Sequence, residues 1–313
     1  MLPIIRRTKL LYSLYNFFHR SQLIHNETKF KKWGLNKKYY SSLSSKDFAG
    51  LPVQETSGVN LEKLPSCSLF SKLNEESKTS LLQFEDRGYA ILRSYLPEWQ
   101  VDAVNVEIST LVQEKKLQFN SSNKLMFAIH ISGLLKSIGS NEQLKELLSC
   151  LLGGAAKLFS SINFIMGSEQ ATHSDSIHMT TYPLGGLLGV WFALEDITEE
   201  NGPLHYFPAS HKLPYYLNRD YDNEGNFLFL GKKLYTDYEN MIAEKIKERQ
   251  LDKTKFLAKK GDLLIWHANL FHGGDPHVNK QKTRKSMVLH YFNEDAICYH
   301  EITQRPALLR MGL

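Results

Sequence analysis

The chain has 313 residues, of which 42% are hydrophobic and 23% charged, and its formal net charge is +5. This ordinary globular balance suits one large domain with extensions or two small domains. Three cysteines without a CxxC pair argue against a thiolate zinc site and a disulfide framework, and no apolar run reaches the roughly 18 residues that a membrane span needs.

The first 45 residues alone supply more than the whole net charge, with nine lysines and arginines against a single acid, Glu27. Apolar residues between Ile4 and Phe18 can gather on one helical face, and hydroxyl residues follow at 39–45. This profile is typical of a mitochondrial transit peptide, the alternative being a basic, partly disordered extension of a cytoplasmic protein. Residues 1–45 are predicted to be a separate leader and residues 46–76 a linker. The rest of the chain is near neutral, which argues against nucleic-acid binding.

Residues 77–300 are predicted to form the folded body, with residues 301–313 as a tail. Short apolar runs after residue 155 are separated by turn signals such as Asn201-Gly202-Pro203. The predicted strands are 88–92, 158–165, 187–194, 204–208, 263–267 and 286–292, and the predicted helices are 97–115, 142–152 and 237–250. Many short strands after a helical beginning favour a mainly β fold with flanking helices.

His173-Ser174-Asp175 is the first candidate site. On an extended segment, side chains two residues apart point to the same side, so an imidazole and a carboxylate converge. They would form two corners of a two-histidine, one-carboxylate face, which leaves three positions open on octahedral iron. Taken alone, the pattern also fits a histidine–aspartate hydrogen bond in a sheet or turn.

The run from Gly261 to Gly274 is the second candidate. A turn opens a buried strand that ends at His267, and His272 follows directly before a glycine pair. The glycines would let backbone or a ligand approach closely. The alternative interpretation is that both histidines are half-buried residues of a sheet.

Arg284, at the start of an apolar strand, is the third candidate. The planar fork of arginine matches a carboxylate through two parallel hydrogen bonds. A dicarboxylate cosubstrate that chelates iron at one end needs such a partner at the other end. Taken alone, Arg284 is also compatible with an ordinary surface arginine.

Together and in this order, the three segments resemble the phytanoyl-CoA dioxygenase family of iron(II)- and 2-oxoglutarate-dependent oxygenases. The resemblance spans about residues 77–295, and its further anchors are FEDRGY at 84–89, GVWFALED at 189–196, NGPL at 201–204 and PASHK at 208–212. It implies a double-stranded β-helix, a cupin-like jelly roll, with helices packed on one side. It also implies an enzyme that uses Fe(2+), 2-oxoglutarate and O2.

By this resemblance, the catalytic metal ligands would be His173, Asp175 and His272. His272 is preferred to His267 because it directly precedes the glycine pair. Arg284 would bind the far carboxylate of 2-oxoglutarate, and Trp191 would form an aromatic wall for the cosubstrate. Family members often carry a hydroxyl residue two positions after the distal histidine, where this chain has Gly274.

The resemblance implies a dioxygenase that hydroxylates a small organic or acyl substrate and releases succinate and CO2. Two alternatives stay open: a non-catalytic jelly-roll binding protein that retains the metal site, and a cupin-type metalloenzyme that does not use 2-oxoglutarate. His178 is expected to form a hydrogen bond within a sheet, with a place in the substrate pocket as the alternative. The substrate itself cannot be read from the residues.

Overall fold

The computed structural model describes residues 4–51 and 59–309. The α-helices in these ranges are α1 (Ile4–Arg7), α2 (Lys9–Phe18), α3 (Glu27–Lys32), α4 (Ser68–Lys72), α5 (Glu75–Leu82), α6 (Phe84–Arg87), α7 (Glu98–Gln113), α8 (Gly133–Gly139), α9 (Glu142–Leu152) and α10 (Tyr235–Glu248). The strands are β1 (Tyr89–Leu92), β2 (Leu125–Met126), β3 (Ala156–Phe164), β4 (Thr180–Tyr182), β5 (Leu187–Ala193), β6 (Leu204–Tyr206), β7 (Thr254–Phe256), β8 (Leu263–His267), β9 (His272–Gly274), β10 (Ser286–Asn293), β11 (Ile297–His300) and β12 (Arg305–Pro306).

A six-stranded antiparallel sheet, in the order β1-β8-β5-β10-β3-β2, forms one layer of the body. Two three-stranded sheets, β12-β11-β4 and β7-β6-β9, also contribute residues to the wall of the cavity that the large sheet lines. This is the jelly roll that the resemblance implies.

Alternation along the strands decides which side chains reach that cavity. On β10, Met287, Leu289 and Tyr291 belong to the apolar cluster on the helical side of the sheet. Val288 and His290, between them, line the cavity. A strand with one face on helices and the other on a cavity is therefore buried throughout, as β10 is.

Helices α7, α8 and α9 cover the outer face of the large sheet. Helix α9 shows how the sequence determines where such a helix begins, where it ends and which side faces the sheet. The Asn141 side chain accepts a hydrogen bond of 3.0 Å from the Leu144 amide at the first turn, and Gly153 ends the helix in the left-handed conformation, with φ of 64°. The buried leucines between them, at spacings of three and four, face the sheet.

The basic segment, expected to be separate, packs against the body in the structure. Phe30, Leu43 and Phe48 form a buried cluster with aromatic and aliphatic residues of β4 and β11. The Leu43 amide donates to the carbonyl of Gln304 at 2.9 Å. The N-terminal and C-terminal segments are thus hydrogen-bonded to each other at the edge of the β12-β11-β4 sheet.

Part of the predicted linker also packs. Leu64, Cys67 and Phe70 are buried in the cluster on the helical side of the large sheet. Residues 52–58 of that linker, residues 1–3 of the leader and residues 310–313 of the tail lie outside the described residues.

Candidate metal and cosubstrate site

His173 and His272 are brought together by backbone pairing. The His173 amide donates to the carbonyl of His272 at 2.9 Å, and the His272 amide donates back to His173 at 2.9 Å. Ser174 is extended, with φ of −109° and ψ of 141°, so Asp175 projects to the same side as His173. The potential ligand atoms of the three residues lie within 4.8 Å of one another, and all three side chains are buried.

The ring nitrogen of each histidine that faces away from this cluster is fixed by the backbone. His173 Nδ1 lies 2.9 Å from the carbonyl oxygen of Ala171, and His272 Nδ1 lies 3.0 Å from that of Leu270. Because a carbonyl oxygen only accepts, both Nδ1 atoms carry the proton and both Nε2 atoms present a lone pair. Burial, and then the neighbouring His272, lowers the pKa of His173 and keeps this ring neutral. Neutral, backbone-oriented imidazoles are suited to bind a metal.

Asp175 completes the cluster. Its Oδ1 lies 3.8 Å from His173 Nε2 and 3.7 Å from His272 Nε2. Its Oδ2 accepts a hydrogen bond of 2.8 Å from Trp266 Nε1. Burial raises the pKa of this carboxyl, but His272, His290 and His173 outweigh burial and hold the pKa well below its usual range. Two imidazoles and one carboxylate on a common face fit divalent iron.

Arg284 is buried in the wall of the same cavity, with 3% of its surface exposed. Its Nη1 donates to the carbonyl of Gly202 at 2.9 Å, whereas its Nε lacks a hydrogen-bond partner among the described residues. Burial lowers its pKa to about 10, so the guanidinium remains charged at neutral pH. A buried cation with an unused donor fits a carboxylate ligand, because an uncompensated buried charge is destabilising.

Two glycines leave room for this guanidinium. A Cβ at Gly167, where φ is +72°, would lie 2.3 Å from Arg284 Nε, and a Cβ at Gly274 would lie 3.1 Å from Nη1. Gly274 is the position at which the resemblance leads one to expect a hydroxyl residue. A side chain there would crowd the guanidinium, so the glycine is part of how this chain seats Arg284.

The three candidate metal ligands, Trp266 and Arg284 all line one cavity of about 760 Å³. Trp191, on β5, is 2% exposed and lies in the wall of the same cavity. The more exposed part of the wall has apolar, polar and cationic members, including Phe127, Met179, His178, Lys124 and Arg305. Tyr15, His19 and Gln22 of the N-terminal segment also line it.

The other two histidines considered from the sequence have different surroundings. His267 is outside the ligand cluster, and its Nδ1 accepts a hydrogen bond of 3.1 Å from the Asn269 amide. His178 lines the cavity, where its Nε2 lies 3.0 Å from the hydroxyl of Tyr235 on α10. Burial, and then His300, lowers the pKa of His178 to about 3, so it is a neutral hydrogen-bonding group at physiological pH.

Several cavity residues were not found from the sequence. His290 had a usable signal, because it lies two residues after Val288 on the same side of β10, and Arg284, which precedes that strand, is also an even number of residues away. Lys124 had no such sequence signal. It precedes β2, and its Nζ donates to Gln170 Oε1 at 2.8 Å. Arg305 reaches the cavity only because β12 pairs with β11.

Comparison with known proteins agrees with this arrangement. The sequence profile of the family described as Phytanoyl-CoA dioxygenase (PhyH) matches residues 77–286. A Dictyostelium discoideum protein named phytanoyl-CoA dioxygenase domain-containing protein 1 homolog is 28% identical over 204 residues, which cover 61% of this chain and 65% of that protein, slightly under two thirds of its length.

Two solved structures share the fold. SnoK, a non-heme alpha ketoglutarate dependent carbocyclase from nogalamycin biosynthesis, is 15% identical with a TM-score of 0.61, and the match covers 78% of this chain and 96% of SnoK. EctD from S. alaskensis, solved with 2-oxoglutarate and 5-hydroxyectoine, is 17% identical with a TM-score of 0.54, and the match covers 69% of this chain and 76% of EctD.

Proposed function

The chain belongs to the phytanoyl-CoA dioxygenase family, and from this premise we propose that it is an iron(II)- and 2-oxoglutarate-dependent dioxygenase. It would hydroxylate a small organic or acyl substrate and release succinate and CO2. The observation that carries the proposal is that a buried two-histidine, one-carboxylate cluster and a buried, partly unpaired arginine face one cavity.

Iron(II), bound together with 2-oxoglutarate and O2, would supply the oxidation. The residues of this chain would hold and orient the metal and the cosubstrate. His173, Asp175 and His272 would bind the metal on one face only. The carbonyls behind the two imidazoles and the Trp266 indole behind Asp175 fix these three side chains, so little reorganisation accompanies metal binding.

Arg284 would bind the far carboxylate of 2-oxoglutarate. Its free Nε and its charge supply a donor and a counter-ion in a site from which water is largely excluded. Trp191 would form one wall beside the cosubstrate. Gly167 and Gly274 have no side chain, so the guanidinium of Arg284 can lie close to the backbone at these two positions.

The more exposed part of the cavity would bind the substrate. Its wall combines apolar residues such as Phe127 and Met179 with the guanidinium of Arg305. That group lies 4.7 Å from the ring centroid of Tyr15 and 5.5 Å from that of Tyr12. An apolar wall with a cation at its rim favours an acyl substrate that carries a negative charge at one end.

Residues 1–45 would also direct the protein to mitochondria, because they are basic, amphipathic and poor in acids. Fusion of this segment to a fluorescent reporter tests this. Accumulation of the reporter in mitochondria is expected, and a diffuse cytoplasmic signal would contradict it.

The activity is tested by screening acyl and small organic compounds for stimulated succinate release by the iron-loaded protein. Succinate formation that requires both iron and Arg284 is expected, and it would separate an oxygenase from a cupin-type metalloenzyme that does not use 2-oxoglutarate. Stoichiometric iron with no 2-oxoglutarate binding would favour that metalloenzyme, and cosubstrate binding without any turnover would favour the non-catalytic binding protein.

A further inference from the structure

Helix α2 presents its apolar side to solvent. Leu10, Leu14 and Phe18 follow one another at a spacing of four residues and are 63%, 48% and 76% exposed, and Ile5 on α1 is 72% exposed. We call these four residues the N-terminal apolar row. Single exposed apolar residues are common on protein surfaces, but a continuous row along one helix is a feature of interaction sites.

The polar side of the same segment faces the protein, through Arg7 to the body and through Asn16 to a later part of the N-terminal segment. The buried Arg7 guanidinium donates from Nε and Nη2 to the carbonyl of Leu230 at 3.1 and 2.9 Å. The fully buried Asn16 donates from Nδ2 to the carbonyl of Tyr40 at 3.1 Å. A helix that covered a core would bury its apolar side, so this helix is oriented in the opposite sense.

The charge around the row is strongly positive. Residues 4–51 contain ten lysines and arginines and two acids, whereas the other residues carry more acids than bases. Arg6 and Arg20 are exposed on the same segment.

A loop of the body adds a further exposed apolar residue beside α2. The Lys9 amide donates to the carbonyl of Leu228 at 2.9 Å, and Phe227, which precedes Leu228, is 85% exposed.

We propose that the N-terminal apolar row docks the folded protein on an anionic membrane surface. The row would enter the boundary between headgroups and acyl chains, and the surrounding basic residues would face lipid phosphates. A fluid lipid surface accepts such a row without a complementary groove. The docking is peripheral: within residues 4–51 and 59–309, no helix has the length and apolarity to span a bilayer.

Docking in this way would also affect how the cavity meets its substrate. This consequence rests on the proposed function, whereas the docking itself does not. Tyr15 and His19, on α2 and directly after it, line the more exposed part of the cavity. Docking through α2 would bring this part of the cavity close to the membrane, from which an acyl substrate is available.

The test uses the full chain and vesicles of phosphatidylcholine with about 30% phosphatidylserine, against vesicles of phosphatidylcholine alone. Co-sedimentation with the anionic vesicles is expected, weakened by high salt. The double variant Leu10→Ser/Leu14→Ser should bind at least about tenfold more weakly. Trp99→Ser on α7 is the matched control, because Trp99 is 70% exposed outside the row, and it should bind like the parent chain.

Iron content, measured on each variant, shows that the body is folded whatever its activity. Equal vesicle binding by the double variant and the parent chain would overturn the proposal, as would absence of binding by the parent chain. Intact-mass analysis of the protein recovered from cells shows whether α2 is retained after import into mitochondria, as docking requires. A chain that starts beyond α2 would also overturn the proposal.

Discussion

The metal end of the cavity and its outer rim are built in different ways. The metal end consists of His173, Asp175, His272 and Arg284, which all lie within the segment that matches the family and are at most 6% exposed. The outer rim includes Tyr15, His19 and Arg305, which lie outside that segment and are more exposed than the metal end.

The difference separates two functions within one cavity. Short hydrogen bonds to backbone carbonyls and to Trp266 hold the metal end in one geometry. The rim is held by contacts between segments far apart in the chain, such as Arg305 stacked over Tyr15. We therefore expect changes at the metal end to abolish the reaction, and changes at the rim to alter substrate binding while the metal and cosubstrate sites remain intact.

The largest effect is expected from removal of a metal ligand. His173→Ala or Asp175→Ala removes one of three protein donors, so neither purified variant should retain stoichiometric iron and neither should turn over. His267→Ala is the matched control, since His267 is outside the cluster, and it should keep its iron. Metal analysis of the three proteins checks this, and full iron content in both ligand variants would show that the metal is held elsewhere.

Arg284→Ala should have the next largest effect. It leaves the far carboxylate of 2-oxoglutarate unpaired in a buried site, which should cost about 2–4 kcal/mol, or roughly 30- to 1000-fold in kcat/KM for 2-oxoglutarate. Arg284→Lys keeps the charge but loses the fork and should be affected less. Both variants should keep normal iron, because Arg284 is no ligand. Succinate formation against 2-oxoglutarate concentration is the measurement, and an unchanged dependence would place the cosubstrate elsewhere.

Trp266→Phe should have an intermediate effect. It keeps an aromatic ring but removes the hydrogen bond of 2.8 Å to Asp175 Oδ2. Loss of a group that orients a metal ligand typically weakens metal binding about tenfold or more. Competition with a chelator measures the affinity. Unchanged affinity would mean that the indole does not position the carboxylate.

The smallest effect is expected at the rim. Arg305→Ala removes the cation stacked on Tyr12 and Tyr15 and should lower the free energy of unfolding by about 0.5–1 kcal/mol. Iron content and the KM for 2-oxoglutarate should not change. Thermal unfolding and metal analysis together check this, and loss of iron in this variant would show that the two ends of the cavity are not independent.

The sequence predicted those helices, strands and ligand candidates whose pattern lies within a few consecutive residues. Strand β8 was predicted over 263–267 because its apolar run follows a turn, and α9 was predicted over 142–152 from the spacing of its leucines. The ligand candidates were found because His173 and Asp175 are two residues apart and His272 precedes a glycine pair. Short strands such as β4 and β11 carry too few residues for a periodic pattern.

The packing of the N-terminal segment was missed for a different reason. Phe30, Leu43 and Phe48 meet in one cluster, but they are irregularly spaced and belong to different elements. Their partners on β11 lie near the other end of the chain. Composition indicated the charge and amphipathic character of this segment correctly, but no local pattern reports which side of α2 faces solvent.

The most direct test of the proposed site is anaerobic titration of the iron(II)-loaded protein with 2-oxoglutarate, because it needs no knowledge of the substrate. Chelation of iron(II) by the keto acid gives a charge-transfer absorption band in the visible region. The band should saturate at one 2-oxoglutarate per iron, should need a higher cosubstrate concentration in Arg284→Ala, and should not appear with glutarate, which lacks the keto group. Stoichiometric iron without such a band, or an undiminished band in Asp175→Ala, would contradict the assignment of His173, Asp175 and His272 as the iron site of a 2-oxoglutarate-dependent oxygenase.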